Sequence, residues 1–279
     1  MGKVLISGSI VAYHNPQDEI KSVIDAFLNS GLNCSLYVLD NSNNNELEAI
    51  CSSQNVKYIN NNANIGFGAA HNIALKEAIR LNSEIHFILN PDIKFNSEII
   101  PILVARMKED PEIGAMMPKI LNLDQTVQYL PKLLPSPSRL LIRLINPLWR
   151  LFNKQYSQYV LVNYEDIELN VPSLSGCFSL YNMAAIKKVG LFDERFFMYF
   201  EDNDLTRRIH RHYRTLYFPS ASILHGYGRG ATKNFRLFKI YIRSAITYFN
   251  TYGWFFDKER KEMNRKVLQD LSEINHNEE

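Results

Sequence analysis

The residues of this chain that could do chemistry fall in short clusters. Asn90-Pro91-Asp92 follows an apolar stretch and precedes a helical pattern. A carboxylate held there by a proline-stiffened turn is a hard oxygen donor, suited to a divalent cation between diphosphate oxygens. An Asx turn or a helix cap accounts for the same tripeptide without any ligand. Farther on, Phe196-Phe197-Met198-Tyr199-Phe200 runs directly into Glu201-Asp202-Asn203-Asp204. Aromatic rings exclude water and raise the pKa of a neighbouring carboxylate, which helps it act as a base. Asp202, flanked by Glu201 and Asp204, is the candidate base. Favourable charges at a helix start are the competing explanation. Asn64-Ile65-Gly66-Phe67-Gly68 opens a helical stretch that continues through Asn72. Glycines and a helix N-terminus suit an anion, although a tight turn explains them equally. His225 ends the apolar run Ser222-Ile223-Leu224 and is either a metal ligand or a satisfied structural histidine.

Alternating strands and helices must position these clusters. Strand patterns over residues 4–13, 35–39, 56–59 and 85–89 alternate with helical patterns over 16–30, 46–53, 69–81 and 97–108. Such alternation predicts parallel strands with crossover helices, and ligands beyond the carboxyl ends of the strands. Tyr13-His14-Asn15, Asp40-Asn41-Ser42 and Asn90-Pro91-Asp92 all sit at such ends and should converge. Residues 125–164 read differently. They contain no Asp or Glu, five Lys or Arg, and Pro131, Pro135, Pro137 and Pro147. This predicts a mobile loop or insertion with helical pieces, not a sheet. Strand character returns over 171–180, broken at Ser175-Gly176, and again over 216–218. Helical patterns cover 184–189, 201–212, 235–249 and 258–269.

Composition bounds the answer. The chain has 279 residues, 46% hydrophobic and 22% charged, with a formal charge of +2. Disorder and collagen-like structure are excluded, and the electrostatic footprint of a nucleic-acid partner is missing. Three cysteines give no disulfide framework and fit a reducing compartment. The first residues lack the pattern of a signal peptide, and no apolar run reaches the ~20 residues of a membrane span. A cytoplasmic protein is expected. The small net charge hides a segregation. Asp92, Glu201, Asp202 and Asp204 concentrate acid, whereas residues 232–266 hold nine Lys or Arg against three Asp or Glu, interleaved with aromatics. That basic aromatic tail fits an anionic membrane surface, a helix packed on the rest of the chain, or a homodimer contact.

Taken in order, the clusters resemble the inverting family-two glycosyltransferases with a GT-A fold, and most of all the rhamnosyltransferase-like bacterial members. Val11-Ala12-Tyr13, Asp40-Asn41-Ser42, the Asn64–Asn72 loop, Leu89-Asn90-Pro91-Asp92, Ser175-Gly176-Cys177 and the stretch from Gly190 to Leu205 carry the likeness. The resemblance implies an α/β fold with a mostly parallel central sheet, helices on both faces and a C-terminal helical extension. It implies a catalytic domain over 1–230, with 125–164 as a basic insertion, and the extension over 231–279. By the same resemblance, Ala12, Tyr13, Asp40 and Asn41 hold the nucleotide, and Asn64, Gly66 and Asn72 lie on the donor side. The family's Asp-x-Asp signature is Asn90-Pro91-Asp92 here, so its first carboxylate is missing. Asp92, with His225, inherits a divalent cation, Mg²⁺ or Mn²⁺. Asp202 inherits the role of base, with Ser175, Gly176, Glu201 and Asp204 in support.

The implied reaction moves a sugar, rhamnose from dTDP-rhamnose, with inversion onto a saccharide or lipid-linked saccharide. Its setting would be bacterial surface polysaccharide assembly such as O-antigen, at the inner face of the membrane. The same fold with a UDP-hexose or UDP-galactofuranose donor is one alternative. A nucleotide-sugar-binding scaffold without turnover is another, resting on the missing carboxylate. A dinucleotide oxidoreductase would need a glycine fingerprint after the first strand, and Ser9-Ile10-Val11-Ala12-Tyr13 supplies none.

Overall fold

The computed structural model describes residues 5–140, 154–226 and 234–277. The first four strands are β1 (Ile6–Ala12), β2 (Cys34–Asp40), β3 (Val56–Asn60) and β4 (Ile85–Leu89). They are joined by α1 (Gln17–Leu28), a 3₁₀ turn (Glu48–Cys51) and α2 (Phe67–Arg80). Ile20, Val23, Ile24 and Phe27 place the buried stripe of α1 at helical spacing. All four strands are parallel, in the order β3-β2-β1-β4. Both faces of β1, β2 and β4 are buried, which is why these strands read as continuous apolar runs.

The second half of the sheet is mixed. After the two-residue β5 (Ile93–Lys94), α3 (Ile99–Glu109) leads to β6 (Ile113–Leu121). A short helix α4 (Lys154–Tyr159), β7 (Leu169–Asn170), β8 (Phe178–Asn182), α5 (Met183–Val189) and α6 (Glu201–His210) follow, then β9 (Arg214–His225). The sheet continues β4-β8-β6-β9-β5, with β7 on β9. Strands β6 and β9 are parallel to each other, while β8 is antiparallel to both β4 and β6. Strands β1 to β4, β6 and β9 therefore share one direction, so the open sheet is mostly parallel.

Three sequence expectations change here. Strand β6 carries no alternation because nearly all of it is buried, and Pro118 in its middle argues against a central strand. At the register shift between Pro118 and Lys119, residues 219–221 of β9, Pro219 among them, have no partner on β6. The strand expected over 171–180 begins only at Phe178, and residues 171–177 form a loop. The short strand over 216–218 is the middle of the 12-residue β9, whose last residue is His225. The 125–140 stretch is also no appendage. Leu133 and Leu134 are fully buried, and Lys132 bridges Ser173 through the backbone. Arg143, Pro147 and Arg150 lie outside the described residues.

Two helices close the chain, α7 (Phe235–Tyr252) and α8 (Lys258–Asn277). Tyr241, Ala245, Tyr248 and Phe249 of α7 form an apolar cluster with Phe196 and Phe200, directly before α6. The clasp between these helices is ionic. Arg207 of α6 has a side chain 1% exposed and makes two 2.7 Å bonds to Asp257, itself 3% exposed. It also donates to Glu259 and Tyr248, and its guanidinium lies 4.0 Å from the Tyr252 ring centre. Burial works against the charge on Arg207, but the hydrogen bonds to Asp257, Tyr248 and Glu259 hold its pKa above the ordinary arginine value. Arg211, with help from Arg207, draws Glu259 down to about 2 against its own burial.

Truncating one partner of such a pair leaves the other charge buried and alone. Arg207→Ala is expected to destabilise the fold by about 3–5 kcal/mol, read by urea denaturation. Replacing Arg207 and Asp257 together by Met and Leu is expected to recover most of that loss.

Candidate active site

Beyond the carboxyl ends of the strands lies a cavity of about 330 Å³. Of the residues anticipated from sequence, Asn90, Asp92, Ser175, Gly176, Glu201, Asp202 and His225 line it. The fold explains this meeting. Asp92 precedes β5, and β5 pairs antiparallel with the end of β9, setting Ile93 opposite His225. The Gly226 amide then bonds the Asp92 carbonyl at 2.8 Å. Gly176 and Asp202 reach the same wall because the 171–177 loop passes over the start of α6.

Asp202 is held on both oxygens. Its Oδ2 accepts from the Gly176 amide at 3.2 Å, and Oδ1 accepts from the backbone and side chain of Asn203, both at 2.8 Å. Asn203 is braced in turn by the Ser173 hydroxyl at 2.9 Å. The backbone just before α6 is strained. Tyr199 and Phe200 are consecutive left-handed residues, with φ of 71° and 68°. Non-glycine residues in that region cost about 1–3 kcal/mol each and persist only where surrounding packing dictates them. Here the α7 cluster does so, since Phe200 stacks on Tyr241 and Tyr248 and Ser244 bonds the Met198 carbonyl.

The three acids of this stretch separate into three states. Asp202 faces the cavity. Asp204 does not line it; the carboxylate is paired with Arg208 at 2.8 Å and accepts from the Tyr252 hydroxyl. It ties α6 to α7. Glu201 is 5% exposed, and among the described residues its Oε2 has no hydrogen-bond partner. Burial, followed by the charge of Asp202, pushes its pKa well above the carboxylate range.

The strand ends that carry Ala12, Tyr13, Asp40 and Asn41 lie outside this cavity, in a polar network of their own. Asp40 is fully buried and accepts from the Ser42 amide at 2.8 Å and the Tyr58 hydroxyl at 2.9 Å. Burial and that carboxylate raise the Tyr58 pKa. Asn41 donates to Asn64 and to the Gly66 carbonyl, each at 3.2 Å. Tyr13 is half exposed at their rim. Gly66, at φ 94°, sits where a Cβ would collide with the Phe197 carbonyl oxygen. The glycine loop is thus locked against the aromatic run before Glu201, and the Phe67 amide bonds that same carbonyl at 2.8 Å. Asn72 is buried, with its amide spent on Phe192 and Glu194.

Asp92 and His225 supply the residues for a cation. Asp92 Oδ1 and His225 Nε2 are 3.4 Å apart. Two donors on neighbouring positions of an octahedral Mg²⁺ or Mn²⁺ stand about 3 Å apart, so the pair fits with a small closure. One carboxylate and one imidazole leave the remaining positions to phosphate oxygens and water. Among the described residues no group of three or more His, Cys, Asp or Glu could hold an ion by itself. Asn90, in place of a carboxylate, turns its amide to His225 Nε2 at 3.3 Å.

The family model of glycosyl transferase family 2 matches residues 9–190. The chain belongs to that family. It is 31% identical over 185 residues to the N-acetylglucosaminyl-diphospho-decaprenol L-rhamnosyltransferase of Mycobacterium tuberculosis, covering 61% of this chain and 59% of that protein. It is 26% identical over 203 residues to the low-salt glycan biosynthesis hexosyltransferase Agl10 of Haloferax volcanii, covering 72% and 61%. The matches therefore span about three fifths of either relative's length. Among solved structures, GalNAc-T7 with UDP, GalNAc and Mn²⁺ superposes with a TM-score of 0.58 at 15% identity, covering 91% of this chain and 50% of that one. The mannosyltransferase PcManGT from Pyrobaculum calidifontis, with GDP-Man and Mn²⁺, gives 0.56 at 14%, covering 96% and 74%. The fold is that of the GT-A glycosyltransferases, and both of those neighbours hold Mn²⁺.

Within this glycosyltransferase the sequence reading passed over Gln128, buried and bonded to His225 Nδ1 at 3.0 Å. No motif marks it, since it sits on a turn after β6. Asn203 was visible only as part of an acidic run.

Glu201 yields a pH test. Its folded-state pKa lies above the unfolded value of about 4.5. The linked stability is therefore full below that value and is lost as pH rises toward the folded value. Between about pH 5 and 8 the melting temperature of the native enzyme is expected to fall relative to Glu201→Gln, which has no proton to lose. Parallel melting curves across that range would show Glu201 ionised in the folded protein.

Proposed function

We propose that this glycosyltransferase moves a sugar from a nucleoside diphosphate donor with inversion at the anomeric carbon, and that the sugar is rhamnose from dTDP-rhamnose. The observation that supports this best is one cavity holding Asp202, braced on both oxygens, together with the Asp92–His225 pair. Asp202 Oδ2 carries a single hydrogen bond, from Gly176, so it keeps a lone pair for the acceptor hydroxyl proton. Taking that proton as the oxygen attacks lets displacement proceed in one step from the face opposite the diphosphate. A divalent ion, when bound by Asp92 and His225, offsets the charge that develops on the leaving diphosphate. The strand ends at Ala12, Asp40 and Asn41 are assigned to the nucleoside, with the half-exposed Tyr13 ring against the base. Asn64 and Gly66 support the donor side by holding Asn41.

The rhamnose donor follows from the mycobacterial relative, and the hexosyltransferase relative favours a hexose as the second reading. A lipid-linked saccharide acceptor fits the cavity's apolar walls, which include Leu130, Leu140, Tyr159, Met198 and Tyr241. It also fits the turn between α7 and α8, where Phe255 is 70% and Phe256 92% exposed beside Trp254 and Lys258. Among the described residues no helix is long and apolar enough to cross a membrane. We assign this turn, with the basic α7 and α8, to an anionic membrane surface.

Release of nucleoside diphosphate from a panel of dTDP-, UDP- and GDP-sugars is expected to be greatest with dTDP-rhamnose. Preference for a UDP-hexose would select the second reading, and binding of every donor without turnover would select a scaffold. Asp202→Asn is expected to lower transfer about 10²–10⁴-fold while leaving donor affinity within a few-fold; near-normal turnover would remove Asp202 as the base. Serine at Trp254, Phe255 and Phe256 is expected to weaken co-sedimentation with anionic vesicles, and unchanged, salt-insensitive partitioning would refute the membrane assignment.

A further inference from the structure

The side chain of His225 is oriented from behind by a residue that belongs to no recognised motif. Gln128 sits on the turn that follows β6, where the Gln128 amide bonds the Ile120 carbonyl at 2.8 Å. Strand β6 lies beside β9, with Leu121 opposite Leu224, so the turn passes the last residue of β9. The Gln128 side chain is buried there and meets His225 twice. Its Nε2 donates to the His225 carbonyl at 2.9 Å, and its Oε1 lies 3.0 Å from His225 Nδ1.

The orientation of that amide is determined by its surroundings. Gln128 Nε2 faces the His225 carbonyl and Asn122 Oδ1, both at 2.9 Å. A carbonyl oxygen only accepts, so the NH₂ group must point that way. Asn122 is oriented in the same fashion, because its amide nitrogen faces the Thr126 carbonyl at 3.3 Å and a Thr126 hydroxyl that donates its own proton to Asp124. Oε1 of Gln128 is then the atom facing His225, and it too only accepts. Nδ1 must carry the hydrogen, and Nε2 must carry the lone pair. At the front of the ring two groups approach Nε2: Asn90 Nδ2 at 3.3 Å, an amide that donates to a lone pair, and Asp92 Oδ1 at 3.4 Å, the oxygen that would share a cation with that lone pair.

We propose that Gln128 is a positioning residue that locks His225 in the Nδ1–H tautomer, so that Nε2 presents its lone pair beside Asp92 to a divalent cation. The Asn90 amide, 3.3 Å from Nε2, would have to give way to a bound ion. This rests on the reading of Asp92 and His225 as cation ligands. Outer hydrogen bonds of this kind commonly change metal affinity 10–100-fold. With Asn90 in place of a carboxylate, Asp92 and His225 would be the protein's two donors to the ion, so a preset imidazole matters more here than beside a second acid.

Two measurements test this without relying on turnover. Long-range ¹H–¹⁵N correlation spectra read the tautomer, with the His225 signals assigned by their loss in His225→Ala. Binding of Mn²⁺ alone is read from the free-ion electron paramagnetic resonance signal. Native protein is expected to show the Nδ1–H form. Gln128→Leu is expected to shift His225 toward the Nε2–H form and to weaken Mn²⁺ binding by about 10-fold or more. Gln128→Glu keeps an acceptor for Nδ1 but loses the donor to the His225 carbonyl and Asn122, and is expected to retain the Nδ1–H form and to bind Mn²⁺ more tightly than Gln128→Leu. Native Mn²⁺ affinity in His225→Ala would remove the cation reading itself. Weakened binding in His225→Ala beside a native tautomer and native affinity in Gln128→Leu would overturn the role of Gln128 alone. Loss of the Nδ1–H form in Gln128→Glu would overturn it as well.

Discussion

A full positive charge sits inside this protein, on Arg207, and the position of the active site depends on what keeps it there. Arg207 shares helix α6 with Asp202, while the carboxylates that hold it, Asp257 and Glu259, flank the start of α8. The bidentate pair sets α8 against α6, and Tyr252 in α7 is drawn in by the same guanidinium and by Asp204. With α7 seated, its aromatic residues press on Phe200 and keep the left-handed backbone that starts α6. The carboxylate of Asp202 is therefore aimed by residues from the far end of the chain. Some buried ion pairs contribute little to stability, but their geometry is demanding, and here the demand falls on the helix whose first turn carries Asp202.

The cavity also economises on charge. Its sequence suggests a dense acidic centre, yet burial pushes the Glu201 pKa well above the carboxylate range and Arg208 pairs with Asp204. Asp92 and Asp202 remain as the carboxylates facing the space where a diphosphate and a hydroxyl would meet. A site with fewer fixed negative charges repels an anionic ligand less.

Much of this was legible from residue patterns, and the failures have physical causes. Strands β1 to β4 and their helices read directly because burial on both faces of the strands and one face of the helices leaves distinct periodicities. Asp92, Asp202 and His225 were found because their neighbours form compact motifs at strand and helix ends. Strand β6 was missed because a proline occupies it and no alternation marks it. The loop over 171–177 was taken for a strand because its apolar residues, Val171 and Leu174, are core residues without a ladder partner. Gln128 and Arg207 were invisible for a different reason. Their roles are defined by partners from distant segments, His225 in one case and Asp257 in the other, and local composition does not reveal such pairings. The basic tail, read as membrane, packed helix or dimer contact, has one helical face packed on the catalytic helix and an exposed aromatic turn beyond it.

The order of strands in the sheet has a consequence for the life of the nascent chain. Among the described strands, β6 pairs with β8 and β9, both of which are made after it. Until the ribosome has added those segments, both edges of a strand containing Ile113, Ala115, Met116 and Met117 stand open. All four residues are fully buried in the finished sheet. An unpaired apolar strand is a template for the wrong partner. Between the making of β6 and the completion of β9, this strand is thus open to wrong pairing and aggregation. Slower synthesis across that interval would lengthen the exposure without altering a single native contact.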